Sequence, residues 1–249
     1  MNPAISLQQV SKAYTERANG PHNRGLALEH IHIDIMPGEF FVLLGPSGCG
    51  KSTLLRIMSG LDVSYEGSVA FGEEASLSRI SFVFQQFALF PWLTVFENVE
   101  LALIARNVSA EARVEKVKNE LKLLGLEKSA HAYPRELSGG MRQRVGIARA
   151  LVTDPRVIFM DEPFSELDSF TAVQLRKELL DIWQKRRPTV VMVTHIITEA
   201  IELADRIAVL TQRPGKIKKT FTNSLPRPRH QRSEPFWRLE DELYETLKQ

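Results

Sequence analysis

An α/β fold with a parallel sheet covered on both faces is what this sequence predicts, and three observations predict it. Fully apolar runs without polar alternation recur at residues 40–44, 157–160 and 189–193, as strands buried on both faces require. Segments of helical periodicity lie between them. The run at 40–44 leads directly into Gly45-Pro46-Ser47-Gly48-Cys49-Gly50-Lys51-Ser52-Thr53, which fits the pattern G-x-x-x-x-G-K-[ST], and residues 53–58 then read as helix. Strand, loop and helix in that order are the setting in which this pattern binds phosphate.

The elements follow in order. Residues 5–10 read as a strand, and residues 15–25 are polar and rich in turn formers, hence a loop. Residues 28–35 alternate apolar and polar, the mark of a half-buried antiparallel strand, and Pro37-Gly38 turns the chain into the strand at 40–44. Short strands are expected at 68–71 and 80–84. From residue 87 to about 134 the texture is helical, with Val114, Val117, Leu121 and Leu124 forming one apolar stripe. Helices are expected from Ser138 to Leu151, over 171–185 and over 198–204, with a further buried strand at 206–210. Residues 225–235 are Pro-rich and basic, an extended surface segment. Phe236, Leu239, Leu243 and Leu247 then give a final amphipathic helix. There is no internal repeat and no long heptad run.

Composition narrows the function classes. The chain has 249 residues, 43% hydrophobic and 25% charged, an ordinary globular balance. A net charge of +2 does not mark a general nucleic-acid binder. The single cysteine, Cys49, rules out an intramolecular disulfide and fits a reducing compartment. The first residues lack a charged-then-apolar signal, and no apolar stretch approaches the ~20 residues that span a bilayer. Any membrane role is therefore expected to go through a partner.

The chemistry concentrates in three segments. In 45–53 the glycines let backbone N–H groups wrap around phosphates, and the helix start adds the positive end of its dipole. Lys51 can reach the β- and γ-phosphates, and the Ser52 hydroxyl can ligate Mg²⁺. Asp161 ends an apolar strand, where a carboxylate can hold Mg²⁺; Glu162 beside it is the candidate general base for water. Taken alone, these two would be solvated carboxylates at a strand end. The third segment is Leu137-Ser138-Gly139-Gly140-Met141-Arg142-Gln143-Arg144. Ser138 is a good helix N-cap, and Gly139 and Gly140 allow close backbone approach, so a second helix start suits an anion. One ATP does not need two such cradles from one molecule, so each protomer's second cradle is expected to close on its partner's ATP.

With these motifs in this order, the sequence resembles the ATP-hydrolysing subunit of an ABC transporter over essentially the whole chain to about residue 222. Residues 45–52 resemble the Walker A loop, 157–162 the Walker B strand with its glutamate, and 137–140 the family signature. The resemblance implies a RecA-like P-loop α/β core with an antiparallel β subdomain and an inserted α-helical subdomain at about 87–134. The ATPase domain would span 1–224, leaving 225–249 as a Pro/Arg-rich segment and terminal helix. It further implies that Tyr14 stacks on adenine. Gly45, Pro46, Ser47, Gly48, Cys49, Gly50, Lys51, Ser52 and Thr53 would hold the nucleotide, with Ser138, Gly139, Gly140 and Asp168 contributing around it. Lys51, Gln85, Glu162 and His195 would form the catalytic set, and Ser52, Gln85 and Asp161 the metal set. Residues 165–168 would be the loop that crosses to a partner copy, and His195 the histidine that senses the γ-phosphate. ATP and Mg²⁺ are the implied cofactors. The implied partners are a second copy, two multi-span permease subunits and, indirectly, an extracytoplasmic substrate-binding protein; nucleic acid is not among them. The implied location is peripheral, at the cytoplasmic face of the inner membrane.

Met141–Arg144 and the run Asp161-Glu162-Pro163-Phe164-Ser165-Glu166-Leu167-Asp168-Ser169-Phe170-Thr171 resemble importers of nitrate, taurine, aliphatic sulfonates and related small ions. Glu166, where Ala is usual, and Ile196, where an acidic residue is common, depart from the family pattern without removing a catalytic group. Residues 87–93, Phe-Ala-Leu-Phe-Pro-Trp-Leu, are unusually apolar for a loop. Two readings stay open: internal packing of the helical subdomain, or a groove for a helix of the membrane subunit. An exporter or lipid-extraction ATPase is the alternative function. A soluble ABC-type ATPase is a more distant one, since long coiled coils and zinc cysteines are missing. Cys49, inside the phosphate loop, is expected to react with thiol reagents unless ATP protects it.

Overall fold

The computed structural model describes residues 2–15, 24–72 and 79–248, so most of the loop expected at 15–25 lies outside the described residues. In chain order the elements are β1 (Ile5–Thr15), β2 (Arg24–Ile35), β3 (Phe40–Leu44), α1 (Lys51–Met58), β4 (Glu66–Phe71), β5 (Ile80–Val83), α2 (Val95–Ile104), α3 (Ala110–Leu123), α4 (Gly139–Leu151), β6 (Val157–Asp161), α5 (Ser169–Arg186), β7 (Thr189–Thr194), α6 (Ile197–Leu203), β8 (Arg206–Leu210), β9 (Ile217–Thr222) and α7 (Glu234–Lys248). They form two compact units, one of Met1–Ser78 with Pro188–Gln249, the other of Arg79–Arg187.

The first unit holds an antiparallel sheet in the order β2-β1-β4. β1 and β2 are both longer than the sequence reading. The pairing shifts register between Leu7 and Val10, and Gln9 and His30 adopt φ of 55° and 49°. This irregularity interrupts the two-residue alternation, so the visible pattern breaks before the pairing does. β3 runs parallel between β7 and β8, with β9 antiparallel on the outer side of β8. Every residue of β3 and β7 is buried, which accounts for their unbroken apolar runs. β9 was not expected. Only Phe221 is buried in it, and Lys218 and Lys219 are both exposed, as charged side chains commonly are on an edge strand.

α7 lays Phe236 and Leu243, both fully buried, against α6 and β8, with Leu239 and Leu247 half-buried beside them. The segment before it is extended, as expected, and Arg232 is exposed on it, but Arg227 and Arg229 are half-buried and turn to partners. Arg227 pairs with Asp205 at 2.6 Å, and Arg229 turns inward onto main-chain carbonyls.

In the second unit β5 and β6 pair in parallel, α4 packs against β5, and α2, α3 and α5 pack against α4. The expected helical stretch resolves into α2 and α3. Val117, Leu121 and Leu124 are buried, whereas Val114 is 38% exposed and sits at the rim of the stripe. α2 begins with a reciprocal cap, the Thr94 hydroxyl accepting from Glu97 N while the Glu97 carboxylate accepts from Thr94 N. Asn98, fully buried, accepts from Phe90 N (2.8 Å) and donates to the carbonyls of Phe90, Leu93 and Thr94 (3.1, 3.0 and 2.9 Å), which holds residues 90–94 in place. That anchoring turns Trp92 outward, 70% exposed and in ring contact with Phe90. Internal packing is thus not what Trp92 does.

The two faces of α7 should separate in a thermal melt. Leu243→Ala removes a fully buried side chain, at about 2–5 kcal/mol, and lowers Tm by several degrees. Tyr244→Ala, on the exposed face, leaves Tm within about 2 °C.

Candidate functional site

The residues of the first unit that the sequence marks as candidates for nucleotide binding are gathered by strand register. Leu44 of β3 pairs with Thr194 of β7, so Gly45 and His195 leave adjacent strand ends, and Gly45 N donates to Thr194 O at 3.4 Å. The loop then turns into α1 with Gly48 at φ +78° and Gly50 at φ +103°. A Cβ on Gly50 would lie 2.7 Å from Leu28 Cδ2 and 2.9 Å from Ala27 O, while one on Gly48 would meet nothing within 4 Å. Gly50 is therefore required by both conformation and space, Gly48 by conformation alone. Lys51, 4% exposed, donates Nζ to Gly45 O (2.8 Å) and Pro46 O (2.9 Å), which brings the ammonium to the inner side of the loop. Gly50 at the N-cap has no side chain, and none among the described residues caps the start of α1. A helix start left without a side-chain cap at a loop that folds around a lysine fits a phosphate group.

Around this loop, Ser47 is exposed, Pro46, Ser52 and Thr53 are half-buried, and Cys49 is 1% exposed. The burial of Cys49 corrects the expectation of a reactive thiol: the surrounding loop already shields it. Tyr14, 42% exposed on β1, stands over α1 with its hydroxyl 3.3 Å from Thr53 Oγ1 and the Lys12 ammonium 5.1 Å from its ring centre. His195 is exposed, and the chain on either side of it is held by Thr194. That hydroxyl donates to Glu199 Oε2 at 2.7 Å and accepts from Ile196 N at 3.1 Å. Sequence reasoning missed Thr194 and Glu199. A hydroxyl at a strand end and a carboxylate in the next helix are legible but too common to single out.

The second unit carries the acidic and Gly-Gly segments. Val83 of β5 pairs with Met160 of β6, so Gln85 and Glu162 also leave adjacent strand ends. Asp161 is buried as the last residue of β6. Glu162 adopts φ 42°, a left-handed conformation that costs a non-glycine residue about 1–2 kcal/mol. Its carbonyl accepts from Ser165 N (3.2 Å) and Ser165 Oγ (3.0 Å), closing the turn that imposes the strain. Strain held at a carboxylate beside a buried aspartate points to a functional position.

Beyond Gln85, Phe87 and Ala88 also take left-handed conformations, at φ 49° and 48°. Arg149 of α4 clamps that turn, its guanidinium donating to Ala88 O (2.6 Å) and Phe87 O (3.1 Å); burial pushes its pKa below the usual arginine value. Ser138 caps α4 by accepting from Met141 N at 3.3 Å. The two glycines after it differ. A Cβ at Gly139 would make ordinary contact with Glu166 O at 3.7 Å, whereas one at Gly140 would lie 2.5 Å from Thr171 Cγ2. Gly140 is thus demanded by the packing of α4 against α5, independently of any ligand. Asp168 caps α5, accepting from Phe170 N (3.1 Å) and Thr171 N (3.0 Å). The Thr171 hydroxyl and these N–H groups hold its carboxyl below the usual aspartate range.

A phosphate loop on a parallel strand, a histidine on the neighbouring strand end, and paired acidic residues with a capped Gly-Gly helix in the other unit define a P-loop ATPase. Residues 28–165 match the ABC transporter family, and the chain belongs to it. It is an ATP-binding, ATP-hydrolysing member of that family, as its motifs predicted. It is 46% identical over 251 aligned positions, 100% of this chain and 92% of the relative, to an uncharacterized ABC transporter ATP-binding protein of Methanocaldococcus jannaschii. It is 44% identical to the aliphatic sulfonates import ATP-binding protein SsuB of Bacillus subtilis, covering 94% of this chain and 90% of that one. Among solved structures, a dimeric bacterial ABC transporter cassette superimposes with a TM-score of 0.77 at 36% identity, covering 89% of this chain and all of the other. A post-hydrolysis dimer bound to ADP and Pi matches at 0.76, with the same identity and coverage. The RecA-like α/β fold expected from the sequence is borne out.

Two outcomes follow from the loop and helix geometry. Gly140→Ala should destabilise the protein by about 1–3 kcal/mol through overpacking, Gly139→Ala by less than about 0.5 kcal/mol, and adding Thr171→Ser should recover most of the Gly140→Ala loss in denaturant titrations. Cys49 should react slowly with a maleimide at equal rates with and without ATP, and rapidly only in denaturant; ATP-sensitive labelling of the native chain would mean that the loop opens.

Proposed function

We propose that this chain is the ATPase subunit of an importer for a small anionic solute of the sulfonate class, acting as a pair of identical copies. The observation that carries the import reading is the 41–44% identity to aliphatic sulfonates import ATP-binding proteins over nearly the full length of both chains. Similarity to cassettes solved as dimers supports the paired arrangement.

In this reading Lys51 and the N–H groups of residues 45–53 hold the β- and γ-phosphates, and Tyr14 stacks on the adenine. Ser52 and Asp161 would hold Mg²⁺ with Gln85, an ion that keeps few protein ligands and takes the rest from phosphate and water. When bound, Mg²⁺ neutralises charge developing between the β- and γ-phosphates. Glu162 orients and deprotonates the attacking water, and His195 contacts the γ-phosphate oxygens. Ser138, Gly139 and Gly140 of each copy close on the nucleotide of the other, with Asp168 in the crossing loop. Catalysis of this kind is mostly positioning and charge stabilisation. The turn after Gln85, with exposed Trp92 beyond it, would meet two multi-span permease subunits, and a substrate-binding protein would deliver the cargo. In this reading the chain works peripherally at the cytoplasmic face of the membrane. Among the described residues no helix is long and apolar enough to cross a membrane.

Steady-state hydrolysis and nucleotide titration test the assignment together. Glu162→Gln should lower kcat by about 10²-fold or more and leave ATP affinity within about twofold. It should also hold an ATP-bound dimer in sedimentation, whereas Lys51→Ala loses binding. Wild-type turnover by Glu162→Gln would remove Glu162 from the chemistry. A pull-down from detergent-solubilised membranes should recover a multi-span permease, and recovery of nucleic-acid partners in its place would overturn the transport reading.

A further inference from the structure

α6 is only seven residues long, and a helix of that length has little stability of its own. Its position is set by what holds its two ends. At the N-terminal end, Glu199, 3% exposed in the first turn, accepts from the Thr194 hydroxyl, which in turn accepts from Ile196 N. These two bonds span His195 and tie the backbone on both sides of it to α6.

The C-terminal end is held by chain from beyond β9. A helix leaves its last four carbonyls without intrahelical partners, and a cation there also meets the negative end of the dipole. Arg229 Nη1 donates to Ile201 O (2.8 Å), Glu202 O (3.3 Å) and Ala204 O (2.6 Å), while its other nitrogens reach Leu225 O (3.0 Å) and Asn223 O (3.2 Å). Burial brings its pKa down to about 10. Arg227 donates to Leu203 O at 2.6 Å, Asn223 Nδ2 to Ile201 O at 2.8 Å, and Gln231 Nε2 to Glu202 Oε1 at 2.5 Å. α7 then covers the outer side of α6 with Phe236 and Leu243. Three separate attachments thus bear on one short helix, and none of these residues lies within the span matched by the family.

We propose that residues 223–231 form a brace that sets the position of His195 through α6, with Arg229 and Glu199 as positioning residues for the ATPase reaction. The catalytic half of this proposal rests on the reading of His195 given above; the positional half does not. The brace replaces water at the end of α6 with fixed donors, and Glu199 passes the resulting constraint to the turn that carries the imidazole. A displaced imidazole would lose alignment with the γ-phosphate, and misplacements of about 1 Å cost up to 10²-fold in rate.

Histidine side-chain NMR on the full chain tests the positional half, with the His195 signal assigned by loss in His195→Gln. Arg229→Gln should shift or broaden the His195 resonance and leave those of His30, His32 and His131 in place; Arg229→Lys, which keeps the charge but not the fork, should produce a smaller shift in the same direction. In parallel kinetics, Arg229→Gln should lower kcat about tenfold, with KM for ATP and one-to-one ATP stoichiometry unchanged. Glu199→Ala should have a similar effect, and the double variant should lose no more than the worse single one. An unmoved His195 resonance in Arg229→Gln overturns the brace. Shifts in all the histidines, or a fall in ATP stoichiometry, overturn it in favour of general loosening. A moved His195 resonance with unchanged kcat leaves the brace standing and overturns the catalytic role assigned to His195.

Discussion

The parallel pairing of β3 with β7 is the constraint on which the candidate phosphate site depends. Its register sets Leu44 against Thr194, and from that pairing the Gly45 loop and His195 emerge side by side. Both strands are buried at every position, and a slip by one residue would misplace the loop relative to the histidine and turn side chains toward the wrong covering layer. The cost of such a slip in buried apolar surface is what makes the strand ends a dependable base for chemistry. A long hydrogen bond from Gly45 N to Thr194 O, at 3.4 Å, continues that pairing into the loop.

The second unit uses the same device with a different outcome. β5 and β6 bring the chain at Gln85 and at Glu162 to neighbouring ends, but there the backbone itself is forced. Glu162, Phe87 and Ala88 all hold left-handed conformations without being glycine. Each is fixed by bonds to its carbonyl or its neighbour's, from Ser165 in one case and Arg149 in the other. Conformational cost is retained where a side chain must point in one direction, and the surrounding hydrogen bonds keep it from relaxing.

Much of this was legible in the chain. The phosphate loop, the acidic strand end and the capped Gly-Gly helix declare themselves by residue type and spacing, because few other sequences satisfy the backbone demands of Gly50 or the capping geometry of Ser138. Helix and strand types were readable wherever burial was one-sided or complete. The edge strand β9 was not, since its lysines and threonines alternate with only one buried aromatic. The β1–β2 irregularity was hidden for a related reason: a register shift between strands erases the period on which sequence reading relies. Val114 followed the expected period yet lies at the rim, where the stripe runs out of partners.

The sequence by itself determined the family and the ATPase activity, since these depend on local backbone geometry and on motifs read in order. Only the tertiary structure decided what the rest of the chain is for. Arg227 and Arg229 read as a basic, solvated tail, and folding spends them on the carbonyls at the end of α6. Gly140 reads as a ligand-approach glycine, and packing against Thr171 already requires it. Cys49 reads as a reactive thiol, and burial conceals it. In each case the deciding partner lies far along the chain, and composition and period carry no information about which distant atoms a side chain will meet.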